Sequence, residues 1–159
     1  MKGLCIILLI SISTNLHAFG NNFPVRPDSR LTPGKLCDRP TSYRYPEHIA
    51  YCERDVTTET KDTLIHLYDS KLGFNIETME RADFKIDHFI PLCVGGSNDM
   101  VNLWPQHKSV YQITDPVEPL VCQRMLEGKL SQADAIKLIT QAKTNLNLVG
   151  AIMKQLGRM

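Results

Sequence analysis

The run Gly95-Gly96-Ser97-Asn98-Asp99 separates two apolar stretches, and any fold this chain adopts must turn back on itself there. Phe84–Leu92 before it is rich in aromatic and β-branched residues and reads as a strand. A second short strand is expected near Val101–Trp104, with helical sequence resuming near His107. Residues Asp87 and His88 are neighbours on the first strand, so their side chains leave on opposite faces unless the strand is distorted.

The first residues carry an expectation about the compartment. Lys2, an apolar run from Leu4 to Ile12, and Leu16-His17-Ala18 follow the order of a secretory signal peptide cleaved after Ala18. That run is far short of the ~20 residues a membrane span needs, so no stable membrane insertion is expected after cleavage, and the product is secreted or periplasmic. Cys5, inside the apolar run, is given no role. Four cysteines then remain, Cys37, Cys52, Cys93 and Cys122, and an oxidising compartment turns an even number into disulfides. Of the three pairings, Cys37–Cys52 and Cys93–Cys122 is preferred: the first closes a proline-rich local loop, and the second ties the turn region to a following helix. A structural zinc site is the rival reading, but the sequence has no C-x-x-C pair.

Charge excludes one easy route to nucleic acid. The whole chain has 18 Lys+Arg and 17 Asp+Glu, and loss of Lys2 with the leader leaves a net charge of zero. Such a protein is not drawn to phosphates by its overall field, so a local basic patch or a metal must do the work.

Residues 19–56 form an irregular arm, interrupted by Pro24, Pro27, Pro33, Pro40 and Pro46, with its first ten or so residues expected to be loose. Arg39, Tyr43, Arg44, Tyr45 and His48 interleave cations with rings, a pattern suited to phosphates and bases and equally to covering a small core. Thr57 or Thr58 caps a helix ending at Gly73, with Leu64, Ile65, Leu67, Tyr68 and Leu72 on its apolar side and His66 off it. Phe74–Met79 reads as a strand. Pro116 and Pro119 break the later helical sequence, which continues from about Leu120 to Glu127, and Ser131 opens a last helix. The tail from residue 148 to 159 is expected to fray.

The chemistry concentrates in the 23 residues from Lys85 to His107: Asp-His-x-x-Pro-Leu, Gly-Gly-Ser-Asn, then Asn-Leu-Trp-Pro-Gln. A carboxylate can bind a hard divalent cation, and an imidazole can take a proton from water near neutral pH. This stretch resembles the HNH endonuclease family, in particular its small exported bacterial members with Asn-Leu-Trp-Pro. The likeness is sharp over 85–107 and looser to about Leu146, and it does not extend to the arm.

The resemblance implies an α+β fold, a ββα-metal (His-Me) finger within a small, mostly helical, disulfide-containing domain at 57–147. It implies His88 as general base, Asn102 holding the base in place, and Asp87 and His107 as metal ligands. His107 follows Asn102 by five residues, closer than is usual in the family, and Gln106 and Lys108 are its alternatives. Lys85, Lys108, Arg81 and Arg124 are the candidates for the nucleic-acid backbone. The implied activity is metal-dependent hydrolysis of phosphodiesters, with DNA as the expected substrate and little sequence preference. Mg²⁺ suits the oxygen donors, while a histidine ligand admits Mn²⁺, Ni²⁺ or Zn²⁺. Two other classes stay open: a catalytically silent nucleic-acid-binding module, and an envelope protein with a structural metal.

Overall fold

The computed structural model describes residues 22–159, so the expected leader at 1–18 lies outside the described residues. The fold is α+β. A short hairpin, β1 (Ser42–Arg44) and β2 (Ile49–Tyr51), belongs to the arm, and α1 (Thr58–Leu72) follows. A second antiparallel pair, β3 (Phe84–His88) and β4 (Leu103–His107), runs directly into α2 (Lys108–Thr114). Three further helices complete the chain: α3 (Val117–Leu126), α4 (Gln132–Thr144) and α5 (Val149–Gly157). No helix among the described residues is long and apolar enough to cross a membrane.

Local chemistry explains most boundaries. Thr57 Oγ1 accepts the Thr60 amide at 3.1 Å and starts α1, and Gly73 stops it in the left-handed conformation with φ of 74°. Ser131 starts α4 in the same way, accepting the Asp134 amide. Pro119 is tolerated because it sits in the first turn of α3, where its missing N–H is no loss.

Several expectations change. The first strand ends at His88 rather than Leu92, and the later helix starts at Val117 and contains Pro119 instead of resuming near Leu120. The segment 74–79 is not a strand: Ile76–Thr78 makes a 3₁₀ turn, because both carboxylate oxygens of Asp69 take the amides of Ile76 and Glu77 at 2.9 Å. The second strand begins at Leu103 rather than Val101, since Met100–Asn102 is a 3₁₀ turn closed by the Asn102 amide on the Asp99 carbonyl. The tail does not fray. Residues 149–157 form α5, whose Val149, Ile152 and Leu156 are buried on one helical face.

Two apolar clusters flank the β3–β4 pair. One gathers α1 and the strands around Trp104, Tyr68 and Leu103, while the other gathers α3, α4 and α5 around Val121, Ile139 and Leu156. The chain leaving β3 joins them, with Phe89 in the first and Ile90 in the second. Both expected disulfides form, Cys37–Cys52 and Cys93–Cys122. The arm is docked from its first described residues: Phe23 stacks on His107, and the Thr32 hydroxyl donates to the Leu103 carbonyl at 2.7 Å.

Candidate functional site

His88 ends β3 opposite Leu103 and is almost fully buried, at 4% exposure. Both ring nitrogens have partners. Nδ1 lies 3.2 Å from Arg54 Nη1, and Nε2 lies 3.0 Å from Asn98 Oδ1. A guanidinium only donates, so Nδ1 accepts and carries the lone pair, and the Nε2 proton goes to the Asn98 carbonyl oxygen. Asn98 is oriented for this by its own amide, which donates to the Glu53 carbonyl at 2.7 Å. Arg54 is oriented by a second bond, from Nη2 to the Ile86 carbonyl at 3.1 Å. Residues 53 and 54, immediately after Cys52, thus grip the imidazole from both sides.

These surroundings hold the ring neutral. Burial lowers the His88 pKa from 6.5 to about 4, the Arg54 charge acts in the same direction, and the Asn98 hydrogen bond opposes them.

Asn102 does something other than hold the imidazole. Its side chain is fully buried; Oδ1 accepts the Ile90 amide at 2.9 Å, while Nδ2 donates to the carbonyls of Ile90 and Ser97 at 2.9 and 2.8 Å. It therefore staples both ends of the loop that follows β3. Gly96 makes room for the staple: a Cβ there would stand 1.8 Å from the Ile90 carbonyl oxygen and 2.9 Å from Asn102 Nδ2. Contact with the imidazole falls to Asn98 instead.

Asp87 leaves the strand on the other face, as alternation requires. That face carries α2, since Gln106 Nε2 donates to Thr114 Oγ1 at 2.7 Å and Lys85 reaches Asp115 at 2.6 Å. Both Asp87 oxygens are taken, Oδ2 by Lys143 at 2.6 Å and Oδ1 by Lys85 at 3.3 Å. Burial pushes the carboxyl up, but Lys143 and then Lys85 outweigh it and hold it below the usual carboxylate range. Asp87 and Glu118 line a hollow of about 350 Å³, whereas the hollow of about 390 Å³ on the other side is lined by Glu53 and Asn98 and not by His88 itself.

His107 is not part of either. It pairs with Phe84 at the far end of the ladder, roughly 13 Å from His88 at about 3.3 Å per strand residue. Its Nδ1 caps α2 by accepting the Ser109 amide at 3.2 Å, and its ring stacks on Phe23 at 3.9 Å. Asp87 and His107 therefore do not fit as co-ligands of one divalent ion. Among the described residues, no three His, Cys, Asp or Glu side chains are grouped to hold a metal.

The expected backbone contacts are not gathered around His88 either. Arg81 donates to the Phe84 carbonyl, Lys108 pairs with Asp83, Lys85 with Asp87 and Asp115, and Arg124 with Glu127 and the Leu156 carbonyl. The arm's cation–ring cluster pairs internally, Arg44 over Tyr51 at 3.3 Å and Tyr43 against His48 at 4.2 Å. Arg54, Asn98 and Lys143 are the residues that sequence reasoning missed. Only the preference for Cys37–Cys52, which fixes Arg54 near a staple, pointed toward one of them.

Compared with family models, with curated proteins and with solved structures, the chain shows no match.

Proposed function

We propose that the chain is an exported phosphodiester hydrolase of the HNH type, acting on nucleic acid, with DNA as its first substrate class and His88 as general base. The observation that carries this reading is the fixed tautomer of His88: neutral, with its lone pair on Nδ1 beside the Arg54 guanidinium. Its place in an antiparallel strand pair that runs straight into a helix agrees with the ββα arrangement that the motif implies. Two disulfides agree with export.

The chemistry follows from those atoms. Arg54 is exposed on its outer side and can trade its Nδ1 contact for two parallel bonds to a phosphate, the geometry a guanidinium favours. That exchange opens Nδ1 to water. His88 then takes a proton as the water oxygen attacks phosphorus in line with the departing oxygen, which leaves with the P–O bonding pair and is protonated from solvent, and the guanidinium balances the charge that builds on the phosphate. A module that only bound nucleic acid would need neither the fixed tautomer nor the buried ring.

The test is plasmid DNA and, in parallel, single-stranded RNA, incubated with the disulfide-bonded protein and with His88→Ala. Each is run with Mg²⁺, with Mn²⁺ and with EDTA. Cleavage by the wild type that His88→Ala lacks while remaining folded supports the assignment. Equal cleavage by both proteins, or none under any condition, rejects it.

A further inference from the structure

A lysine is among the residues least often fully buried, because its ammonium gives up strong hydration. Lys143, near the end of α4, is 1% exposed. Its Nζ donates to Asp87 Oδ2 at 2.6 Å and to the His88 carbonyl at 2.5 Å, and it faces Glu118 Oε2 at 4.0 Å. Lys85 sits on the remaining Asp87 oxygen and on Asp115. Three carboxylates, from β3, the end of α2 and the first turn of α3, thus converge on two ammonium groups.

Carboxylate oxygens are what a hard divalent cation ordinarily seeks, and Asp87, the most buried of the three, is the one the motif assigns to it, although as they stand the three are not grouped to hold a metal. We propose that Lys143 is the resident cation of Asp87: its ammonium stands between Asp87 and Glu118 and takes the Asp87 oxygen that a divalent ion would need, so that Asp87 is the anchor of Lys143 rather than a metal ligand. The argument is one of valence and space. An ammonium is a compact point charge with three donors, and here two oxygens accept from it while a second carboxylate faces it at 4.0 Å. An incoming ion would have to displace a buried charge that has no water to retreat into. With Lys143 replaced by Met, Lys85 alone would face three carboxylates, leaving an excess of negative charge open to the hollow beside Asp87.

This inference concerns which cation Asp87 holds, and it stands or falls apart from the hydrolytic reading. The experiment uses Mn²⁺ alone as probe, titrated against the full disulfide-bonded protein and followed by the resonance signal of free Mn²⁺. Wild type, Asp87→Asn, Lys143→Met and the double variant are compared. The expected result is identical Mn²⁺ binding by wild type and Asp87→Asn, with an extra site in Lys143→Met that the double variant loses. Loss of a wild-type site on Asp87→Asn overturns the proposal, and so does a folded Lys143→Met that gains none. Should Asp87→Asn fail to fold, wild type alone decides through the Asp87 carboxyl carbon resonance. It should be untouched by substoichiometric Mn²⁺, and its selective broadening overturns the assignment.

Discussion

Arg54 Nη1 lies 3.2 Å from His88 Nδ1, although the two residues are 34 positions apart and belong to different segments of the fold. The guanidinium is therefore a component of the imidazole's surroundings and not a neighbour by sequence. Arg54→Ala should lower kcat/KM by about 10²- to 10³-fold, the range for removing one preorganised donor from a developing anion. Arg54→Lys should recover part of that loss, because an ammonium supplies the charge without the parallel pair of bonds. Initial rates of plasmid nicking measure both. A wild-type rate in a folded Arg54→Ala would remove the arm from the site.

Acid should weaken the fold between pH 6.5 and about 4. The unfolded chain binds a proton on His88 near 6.5, whereas the folded chain resists it down to about 4, so the unfolded state holds more protons in that window. The stabilisation is complete above 6.5 and is lost as pH falls through 4, by up to about 3 kcal/mol. His107, also lowered by burial, works in the same direction. Glu118 is raised by its own burial and works in the opposite one. The comparison that isolates His88 is unfolding free energy against pH for wild type and for His88→Asn, and the two profiles should separate only below neutrality. Parallel profiles would mean the ring is not held neutral.

Much of the framework was legible in the residues themselves, because its signals are local. The glycine turn, the caps at Thr57 and Ser131, the stop at Gly73 and the loop closed by Cys37–Cys52 each depend on a few adjacent positions. The helix at 149–157 also carries its signal in Val149, Ile152 and Leu156, against the general tendency of chain ends to fray. The site was less legible. Asp-His on one strand gave the correct opposite faces, but nothing in the spacing told that Lys143, 56 positions from Asp87, would fill one face. Nor did it tell that Asn98 and Asn102, both in the turn region, would divide the work, one on the ring and one on the backbone. Such assignments depend on long-range packing, which periodicity and local propensity do not encode.

Asn102 and Gly96 should behave as one unit. Asn102→Ala leaves the Ile90 amide and the carbonyls of Ile90 and Ser97 without their buried partner, a loss of about 3 kcal/mol or more. Gly96→Ala drives a methyl into the Ile90 carbonyl and must break the same staple, costing a similar amount. Because both changes remove the same bonds, the double variant should be less destabilised than the sum of the two. Chemical denaturation of the four proteins closes the cycle, and strict additivity would show that the glycine serves some other contact.

The two disulfides should differ in what they protect. Each closes a loop of ordinary length and should contribute about 3 kcal/mol, judged by loop size, when removed as a Cys→Ser pair. Cys52, however, stands two residues before Arg54, and the Glu53 carbonyl between them orients Asn98. Cutting the Cys37–Cys52 link frees the segment that grips His88 from both sides. Cutting Cys93–Cys122 loosens the join between the loop after β3 and α3 while leaving that grip in place. At a temperature where both double variants remain folded, the Cys37→Ser/Cys52→Ser protein should therefore lose far more cleavage activity than the Cys93→Ser/Cys122→Ser protein. Matched losses of activity at matched stability would mean that the arm contributes to the fold but not to the chemistry.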